Sequence, residues 1–184
     1  MSKEIEHSFI DANGIRLHIS EAGPKDGPLV ILAHGFPEFW YGWRKQIPHL
    51  ANAGFHVIAP DQRGYNLSDK PTRVQDYDID NLAKDLIALA QTKNKEHFHL
   101  VGHDWGAAVA WWLGVHYPEH LKSLSILNVP HPTVMHKNLL SNFQQICKSW
   151  YVFAFQLPLF PEWFMSHQNF RKSIGALKHT SQPG

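Results

Sequence analysis

Short apolar segments alternate along the chain with longer segments in which apolar residues recur at helical spacing. One short segment alternates apolar and polar residues after an Ala-Asn-Gly turn signal, which indicates a hairpin, and the others are mostly apolar, as in buried strands. These predicted strands are residues 15–20, 29–33, 55–60, 97–101 and 124–127. The segments between them predict helices over residues 40–53, 77–91 and 105–116.

This order of elements predicts an α/β protein. Strand–helix–strand alternation produces a mainly parallel sheet with helices on both faces. After Asn128 the alternation ends, and a helical pattern rich in Trp, Tyr and Phe replaces it up to about residue 177. We therefore expect residues 1–128 to form the N-terminal part of a sheet domain. Residues 129–184 are expected to form part of a helical cap over that sheet.

The composition of the chain excludes several classes of partner and cofactor but does not indicate a particular function. The 184 residues are 43% hydrophobic and 18% charged, and the formal net charge is +1. Nothing therefore indicates nucleic acid or an anionic membrane surface as a partner. Cys147 is the only cysteine, so an internal disulfide is excluded. The 14 histidines are scattered without metal-ligand spacing, and we predict neither a metal nor any other cofactor.

The start of the chain, MSKEIEHSF, carries charges and no apolar run, which argues against a signal peptide. No window of about 18 consecutive apolar residues occurs, as a membrane-spanning helix would need. These features predict a cytoplasmic protein without a membrane partner.

The most specific signal is Gly102-His103-Asp104-Trp105-Gly106, between a predicted strand and a predicted helix. This is the setting of a nucleophile elbow, a tight turn that raises one side chain above the sheet edge and needs small residues on both sides. The raised residue is Asp104, whose carboxylate can attack a saturated carbon to form an ester that water then hydrolyses. The simpler interpretation, that Asp104 only caps the following helix, leaves both glycines unexplained.

The second signal is His34-Gly35-Phe36-Pro37-Glu38, directly after the predicted strand 29–33. In a fold with a nucleophile elbow, this loop supplies one backbone N–H of an oxyanion hole, and the residue after the nucleophile supplies the other. Those residues are Phe36 and Trp105. Alone, the motif also fits an ordinary strand-to-helix turn punctuated by Gly and Pro. Its occurrence before the elbow favours the functional interpretation.

A third polar segment, DQRGYNLSD, follows the predicted strand 55–60. We predict that this loop is structural and assign it no catalytic role. Arg63 is expected to pair with Asp61 or Asp69 and so to hold the loop in place.

Together these segments resemble the α/β-hydrolase superfamily, and its epoxide hydrolase branch in particular. The resemblance rests on HGFPEFWYGWRKQIPHL, DQRGYNLSDKP, GHDWGAAVAWWL and NVPHP, in this order, and extends from about Ile15 to the last residues. It implies an α/β-hydrolase fold with a helical cap. It also implies that Asp104 opens an oxirane ring of a lipophilic small-molecule epoxide.

The resemblance further implies a proton donor on the cap. Members of this branch carry a cap tyrosine in a Tyr-x-x-x-Phe-Gln segment, and Tyr151 occupies that position here. An alkoxide leaves poorly unless an acidic group meets it, which is the role expected of this tyrosine. Packing within an aromatic cap core is the alternative. We expect an apolar substrate pocket formed by His34, Pro37, Trp105 and Phe155.

Two other functions remain open at this point. Haloalkane dehalogenases, which are close relatives, also have a tryptophan directly after the nucleophile, and it binds the departing halide. They commonly have Asn after His-Gly, however, where this chain has Phe36, and this difference favours the epoxide reaction. The other alternative is a non-catalytic relative that binds a hydrophobic ligand.

The resemblance also implies that the chain is truncated at its C-terminal end. Family members complete their triad with an acid and a histidine after the cap, and none of His131, His136, His167 and His179 has that context. We expect the catalytic acid and histidine, the second cap tyrosine, the last strands and the final helix to be missing and turnover to be impaired. The strand at 124–127 would then form an exposed sheet edge, through which we expect self-association.

Overall fold

The computed structural model describes residues 4–131, 133, 134 and 175. Its strands are β1 (Glu6–Ala12), β2 (Ile15–Ala22), β3 (Leu29–Ala33), β4 (His56–Pro60), β5 (Phe98–His103) and β6 (Leu121–Leu127). Its α-helices are α1 (Gln46–Asn52), α2 (Ile79–Thr92) and α3 (Trp105–His116), with 3₁₀ turns at Trp40–Trp43, Val74–Tyr77 and Pro118–His120. None of the helices in this described part is long and apolar enough to cross a bilayer.

The strands form one mixed sheet in the order β1-β2-β4-β3-β5-β6. The β1–β2 hairpin turns at Asn13-Gly14, where both residues have positive φ, and β2 pairs antiparallel with β4. From β4 to β6 all pairs are parallel. The predicted α/β class with a mainly parallel sheet is confirmed.

The strand predictions match the structure closely, whereas one helix prediction is wrong. Residues 40–53 do not form a single helix but a 3₁₀ turn followed by α1, which begins at Gln46. The reason is Pro48, which a continuous helix would hold in its interior, where proline removes a hydrogen bond and clashes with the preceding turn. In the observed arrangement Pro48 lies in the first turn of α1, where an N–H has no intrahelical acceptor.

The core has two layers because successive side chains of a strand face opposite sides of the sheet. Ile31 of β3 packs on one face and Leu32 on the other. The first face carries the apolar stripes of α2 and α3, including Leu82, Leu86 and Leu89 of α2. The second face carries α1 and Trp43. Packing on both faces holds the carboxyl ends of β3, β4 and β5 side by side.

The loop after β4 is held by a buried ion pair between Arg63 and Asp85, so the prediction that Arg63 pairs with Asp61 or Asp69 is wrong. Arg63 donates two hydrogen bonds to Asp85 of α2, from Nε at 2.8 Å and from Nη2 at 2.7 Å, and the two side chains are 7% and 4% exposed. Asp61 is already occupied, since its carboxylate contacts the ring of His18 at 2.7 Å and accepts the backbone N–H of Trp40 at 3.0 Å. Arg63 therefore pairs with Asp85, which lies on a helix that is distant from it in sequence.

The pKa values of this pair reflect both its burial and the hydrogen bonds between its members. Burial raises the pKa of Asp85, while its hydrogen bonds from Arg63 and Asn13 act in the opposite direction. The same contact with Asp85 raises the pKa of Arg63. The guanidinium is thus held charged beside its acceptor.

Strand β6 lies at one edge of the described sheet, and β1 lies at the opposite edge. The side chains of β6 are half-buried at Leu121, Leu124 and Ile126 and exposed at the other four positions. The expectation that this edge mediates self-association stays a prediction. The domain boundary expected between residues 128 and 129 also stays a prediction. The unit that contains the sheet extends to His131, and beyond it the structure describes only residues 133, 134 and 175.

We predict that Asp85→Ala destabilises the fold by roughly 3–5 kcal/mol, because it leaves the Arg63 charge buried without a partner. Urea unfolding followed by circular dichroism measures this effect. The matched control is Arg73→Ala, which removes an exposed ion pair with Asp76 and should leave the unfolding midpoint almost unchanged. Equal shifts in the two variants would show that the buried pair has no special role.

Candidate active site

A sharp turn between β5 and α3 presents Asp104 at the carboxyl edge of the sheet. Its backbone adopts φ 50° and ψ −116°, a conformation that side-chain-bearing residues rarely occupy. The turn is anchored on both sides: the N–H of Asp104 donates to the Leu127 carbonyl of β6 at 3.4 Å, and its carbonyl accepts the Ala107 N–H of α3 at 3.0 Å. This is the geometry that the elbow motif predicts, and it stores backbone strain at the residue that carries the carboxylate.

The glycines around the turn are required by close backbone contacts. A Cβ at Gly102 would lie 2.6 Å from the Gly106 carbonyl oxygen and 2.7 Å from Cα of Ala107. A Cβ at Gly106 would lie 2.5 Å from the carbonyl oxygen of His34. Backbone atoms cannot move aside as a flexible side chain can, so α3 packs this closely against β5 and the loop after β3 only with glycine at both positions.

The loop after β3 brings a backbone donor to the Asp104 carboxylate. The N–H of Phe36 donates to Oδ1 of Asp104 at 2.9 Å. Gly35 permits the approach, since a Cβ there would lie 2.6 Å from Cβ of Asp104. Trp105 follows Asp104 as the first residue of α3, and the N–H groups of a helix's first turn have no intrahelical acceptor. Both backbone donors expected of an oxyanion hole thus belong to segments that meet at Asp104.

The remaining predicted site residues have different placements. Pro37 is exposed and follows a cis peptide bond from Phe36. His34 is completely buried. Its ring contacts the Gly35 carbonyl through Nδ1 at 2.9 Å and accepts the Gln62 N–H at Nε2, at 3.0 Å. Their roles in a substrate pocket stay predictions. Tyr151 and Phe155 lie outside the described residues.

Tyr65, which was not among the predicted site residues, also lies beside this site. Its ring meets the His34 ring edge-on, with centroids 4.8 Å apart. Burial raises the pKa of Tyr65 to about 12, and the negative charge of Asp104 contributes in the same direction. The hydroxyl therefore stays protonated at neutral pH. The loop that carries Tyr65 was interpreted as structural, and nothing in its sequence distinguishes this tyrosine from a packing residue.

His103, the neighbour of the candidate nucleophile, is engaged elsewhere. Its Nδ1 contacts Glu38 Oε2 at 3.3 Å, and the side-chain amide of Asn128 donates to its Nε2 at 3.1 Å. Its ring is therefore not available as a base for Asp104. Through these two contacts, His103 connects Glu38 in the loop after β3 to Asn128 in the segment after β6.

The surface around Asp104 is apolar on the side that the described residues leave open. Phe36 is 47% exposed and Trp105 is 41% exposed, although both are large hydrophobic side chains. Exposed apolar surface beside a functional group is typical of a ligand-binding site. Among residues 4–131, 133, 134 and 175, no group of three His, Cys, Asp or Glu side chains could hold a metal ion.

Comparison with known proteins gives a consistent result. A family model described as alpha/beta hydrolase fold matches residues 28–167. The AB hydrolase superfamily protein YfhM of Bacillus subtilis is 51% identical over 158 residues, which are 86% of this chain and 55% of the relative. Epoxide hydrolase 3 of Xenopus tropicalis is 41% identical over 167 residues, which are 90% of this chain and 45% of the relative. The chain spans about half the length of the curated relatives it matches.

Among solved structures, a mutant epoxide hydrolase from Bacillus megaterium, complexed with its product, a naphthyloxypropanediol, aligns with a TM-score of 0.84 and 37% identity. The alignment covers 94% of this chain and 58% of that chain. The fold seen in the described residues is therefore shared with enzymes named for epoxide hydrolysis.

Two substitutions of Asp104 can measure the backbone strain at this residue without a contribution from its carboxylate. Asp104→Gly and Asp104→Ala both remove the carboxylate, but only glycine tolerates the observed φ. Strain at such a residue is on the order of 1–3 kcal/mol, and the greater freedom of glycine in the unfolded chain offsets about 0.4–1 kcal/mol of it. We expect Asp104→Gly to be more stable than Asp104→Ala by roughly 1–2 kcal/mol in urea unfolding. A more stable alanine variant would mean that the turn is relaxed.

The close contact at Gly106 can be tested within a single helix. Gly106→Ala should cost roughly 1–3 kcal/mol, because its Cβ overlaps backbone atoms of Ala33 and His34. The control is Gly114→Ala in the same helix, whose Cβ meets only the ends of the flexible Leu124 and Leu121 side chains. Thermal unfolding should show a clear loss for the first variant and little loss for the second. Similar melting temperatures would contradict the tight contact between α3 and the loop.

Proposed function

Because the chain belongs to the α/β hydrolase fold family, we propose that its site hydrolyses an epoxide to a diol through an ester on Asp104. The observation that carries this proposal is the carboxylate at the elbow, held at 2.9 Å by the N–H of Phe36. A serine or cysteine at this position would attack a carbonyl carbon, whereas a carboxylate suits attack on a saturated carbon.

In the first step, Oδ2 of Asp104 attacks a carbon of the oxirane ring. A new C–O bond forms, the ring C–O bond breaks, and its electron pair stays on the ring oxygen as an alkoxide. Tyr151, the proton donor expected on the cap, supplies a proton to this oxygen. The hydrogen bond from Phe36 to Oδ1 fixes the carboxylate so that the other oxygen faces the substrate.

In the second step, water attacks the ester carbonyl carbon, and Oδ1 becomes the oxyanion of the tetrahedral intermediate. Collapse of that intermediate breaks the bond between the carbonyl carbon and Oδ2, so Oδ2 leaves with the diol and the oxygen of water takes its place in the restored carboxylate. Of the two protons of water, one goes to the leaving alkoxide and the other restores the proton that Tyr151 gave up. The N–H groups of Phe36 and Trp105 are the donors that we assign to the oxyanion. One such donor contributes a factor of about 10²–10³ to a rate. This step needs a base that accepts a proton of water, and His103, the histidine next to Asp104, is held by Glu38 and Asn128 instead. We therefore expect the ester to persist long enough to be detected.

A lipophilic substrate fits the surroundings of Asp104. Phe36 and Trp105 present exposed apolar surface beside the carboxylate, and Pro37, His34 and Phe155 are the further pocket residues that we assign. The Bacillus megaterium relative binds an aryloxy diol as its product. The corresponding epoxide, 1-naphthyl glycidyl ether, is therefore a suitable probe for this chain.

The chain should form a covalent adduct when incubated with 1-naphthyl glycidyl ether. Because the epoxide adds without losing an atom, the mass of the protein should increase by the full mass of the probe. Peptide mass spectrometry should locate this added mass on Asp104. Asp104→Ala, shown to be folded by circular dichroism, should form none. Folded unmodified protein that yields neither adduct nor diol would contradict the proposal.

The same experiment separates the alternatives. With 1-chlorohexane in place of the epoxide, a dehalogenase would form a hexyl ester on Asp104 with loss of chloride. We expect no such adduct, since Phe36 occupies the position where dehalogenases commonly have Asn. Probe binding that is unchanged in Asp104→Ala, without adduct in the unmodified chain, would favour a non-catalytic binding protein.

A further inference from the structure

We propose that His34 and Gln62 are positioning residues that orient the peptide unit between Gly35 and Phe36, and so aim the Phe36 N–H at Asp104. The proposal rests on the proposed function. It gives His34 a role behind the loop in addition to the pocket role expected from sequence. It also gives a role to the loop after β4, which the sequence analysis considered only structural.

The peptide between Gly35 and Phe36 is held at both ends. Its carbonyl oxygen contacts Nδ1 of His34 at 2.9 Å and accepts the N–H of Glu38 at 3.0 Å. Its N–H donates to Asp104 at 2.9 Å. In a planar trans peptide the C=O and N–H bonds point in opposite directions. Whatever fixes the carbonyl oxygen therefore also fixes the direction of the N–H.

The partners of the His34 ring select one tautomer. Nε2 lies 3.0 Å from the backbone N–H of Gln62, which can only donate, so Nε2 must be the acceptor. Nδ1 must then carry the proton and donate to the Gly35 carbonyl, which can only accept. Burial lowers the pKa of His34, although the bond to Gly35 and the nearby carboxylates of Asp61 and Glu38 act in the opposite direction. The neutral ring that this tautomer requires is thus favoured.

Gln62 holds His34 at a second point. Its side-chain amide donates to the His34 carbonyl oxygen at 2.6 Å, and Gln62 is itself almost completely buried. Because β3 and β4 are parallel neighbours, Gln62 and His34 leave the sheet at the same edge. The loop after β3 is therefore clamped between Gln62 on one side and Gly106 of α3 on the other, where backbone contacts leave no room for a Cβ.

A pair of substitutions separates positioning from simple packing. In His34→Asn the side-chain amide N–H lies near the former Nδ1 and can still donate to Gly35. In His34→Gln the amide reaches the former Nε2 and can still meet Gln62, but the donor to Gly35 is lost. Both variants remove the ring, so a packing role would affect them equally.

The rate to compare is the decay of the Asp104 ester in alkaline buffer, where hydroxide attacks the carbonyl without a protein base. Misaligning one oxyanion donor should slow this step by roughly tenfold to a hundredfold. We expect that loss in His34→Gln, a smaller loss in His34→Asn, and in both a smaller effect on the rate of ester formation. Equal slowing of decay in the two variants would overturn the proposal.

Two NMR measurements test the positioning role without any reaction. Long-range ¹H–¹⁵N spectra should show one histidine with a protonated Nδ1 and an unprotonated Nε2 whose signals vanish in His34→Asn. The amide proton of Phe36 should shift more in His34→Gln than in His34→Asn. A protonated Nε2, or equal shifts of the Phe36 amide, would overturn the proposal.

These readouts keep the two proposals distinguishable. If the unmodified chain forms no ester, the proposed function fails, and the NMR measurements alone decide the positioning role. If either His34 variant does not fold, Gln62→Leu replaces it, because it deletes the 2.6 Å bond to the His34 carbonyl and keeps the backbone donor. We expect Gln62→Leu to shift the Phe36 amide away from its position in the unmodified chain. An unchanged Phe36 amide would contradict the role of the Gln62 side chain.

Discussion

The arrangement depends on one hydrogen bond, from the backbone N–H of Phe36 to the carboxylate of Asp104. It joins the ends of two neighbouring parallel strands, β3 and β5, at the edge of the sheet where their connecting loops begin. A charge-assisted bond of this kind is stronger than a neutral one and fixes the carboxylate in one orientation. The elbow geometry, the glycines and the buried loop after β4 all serve to bring these two groups together.

The site is built at a cost to local stability. Asp104 is held in a rarely populated backbone conformation, and three glycines are placed where a methyl group would meet backbone or the carboxylate itself. The apolar layers on both faces of the sheet supply the stability that tolerates this strain. The buried pair between Arg63 and Asp85 adds a fixed point from which the loop after β4 reaches the site. Strain and support therefore lie on different elements.

Local pattern was enough to predict most of the sheet and the position of Asp104. Buried strands and an amphipathic helix such as α2 leave periodic signals within a few residues, and the elbow requires glycines at two fixed positions. The partner of Arg63 could not be predicted in this way, because Asp85 lies on a helix that only the tertiary fold brings near. Tyr65 and the orientation of His34 likewise depend on contacts between loops that are distant in sequence. The single helix expected over residues 40–53 does not form, because it would place Pro48 in its interior.

The central claim is that the Phe36 N–H donates to the Asp104 carboxylate in solution. The most direct measurement is the scalar coupling that a hydrogen bond transmits between the ¹⁵N of Phe36 and the carboxyl ¹³C of Asp104 in labelled protein. The account predicts a measurable coupling between these two nuclei, since the donor and acceptor lie 2.9 Å apart. A folded protein in which the Phe36 amide shows no such coupling and exchanges rapidly with solvent would contradict it.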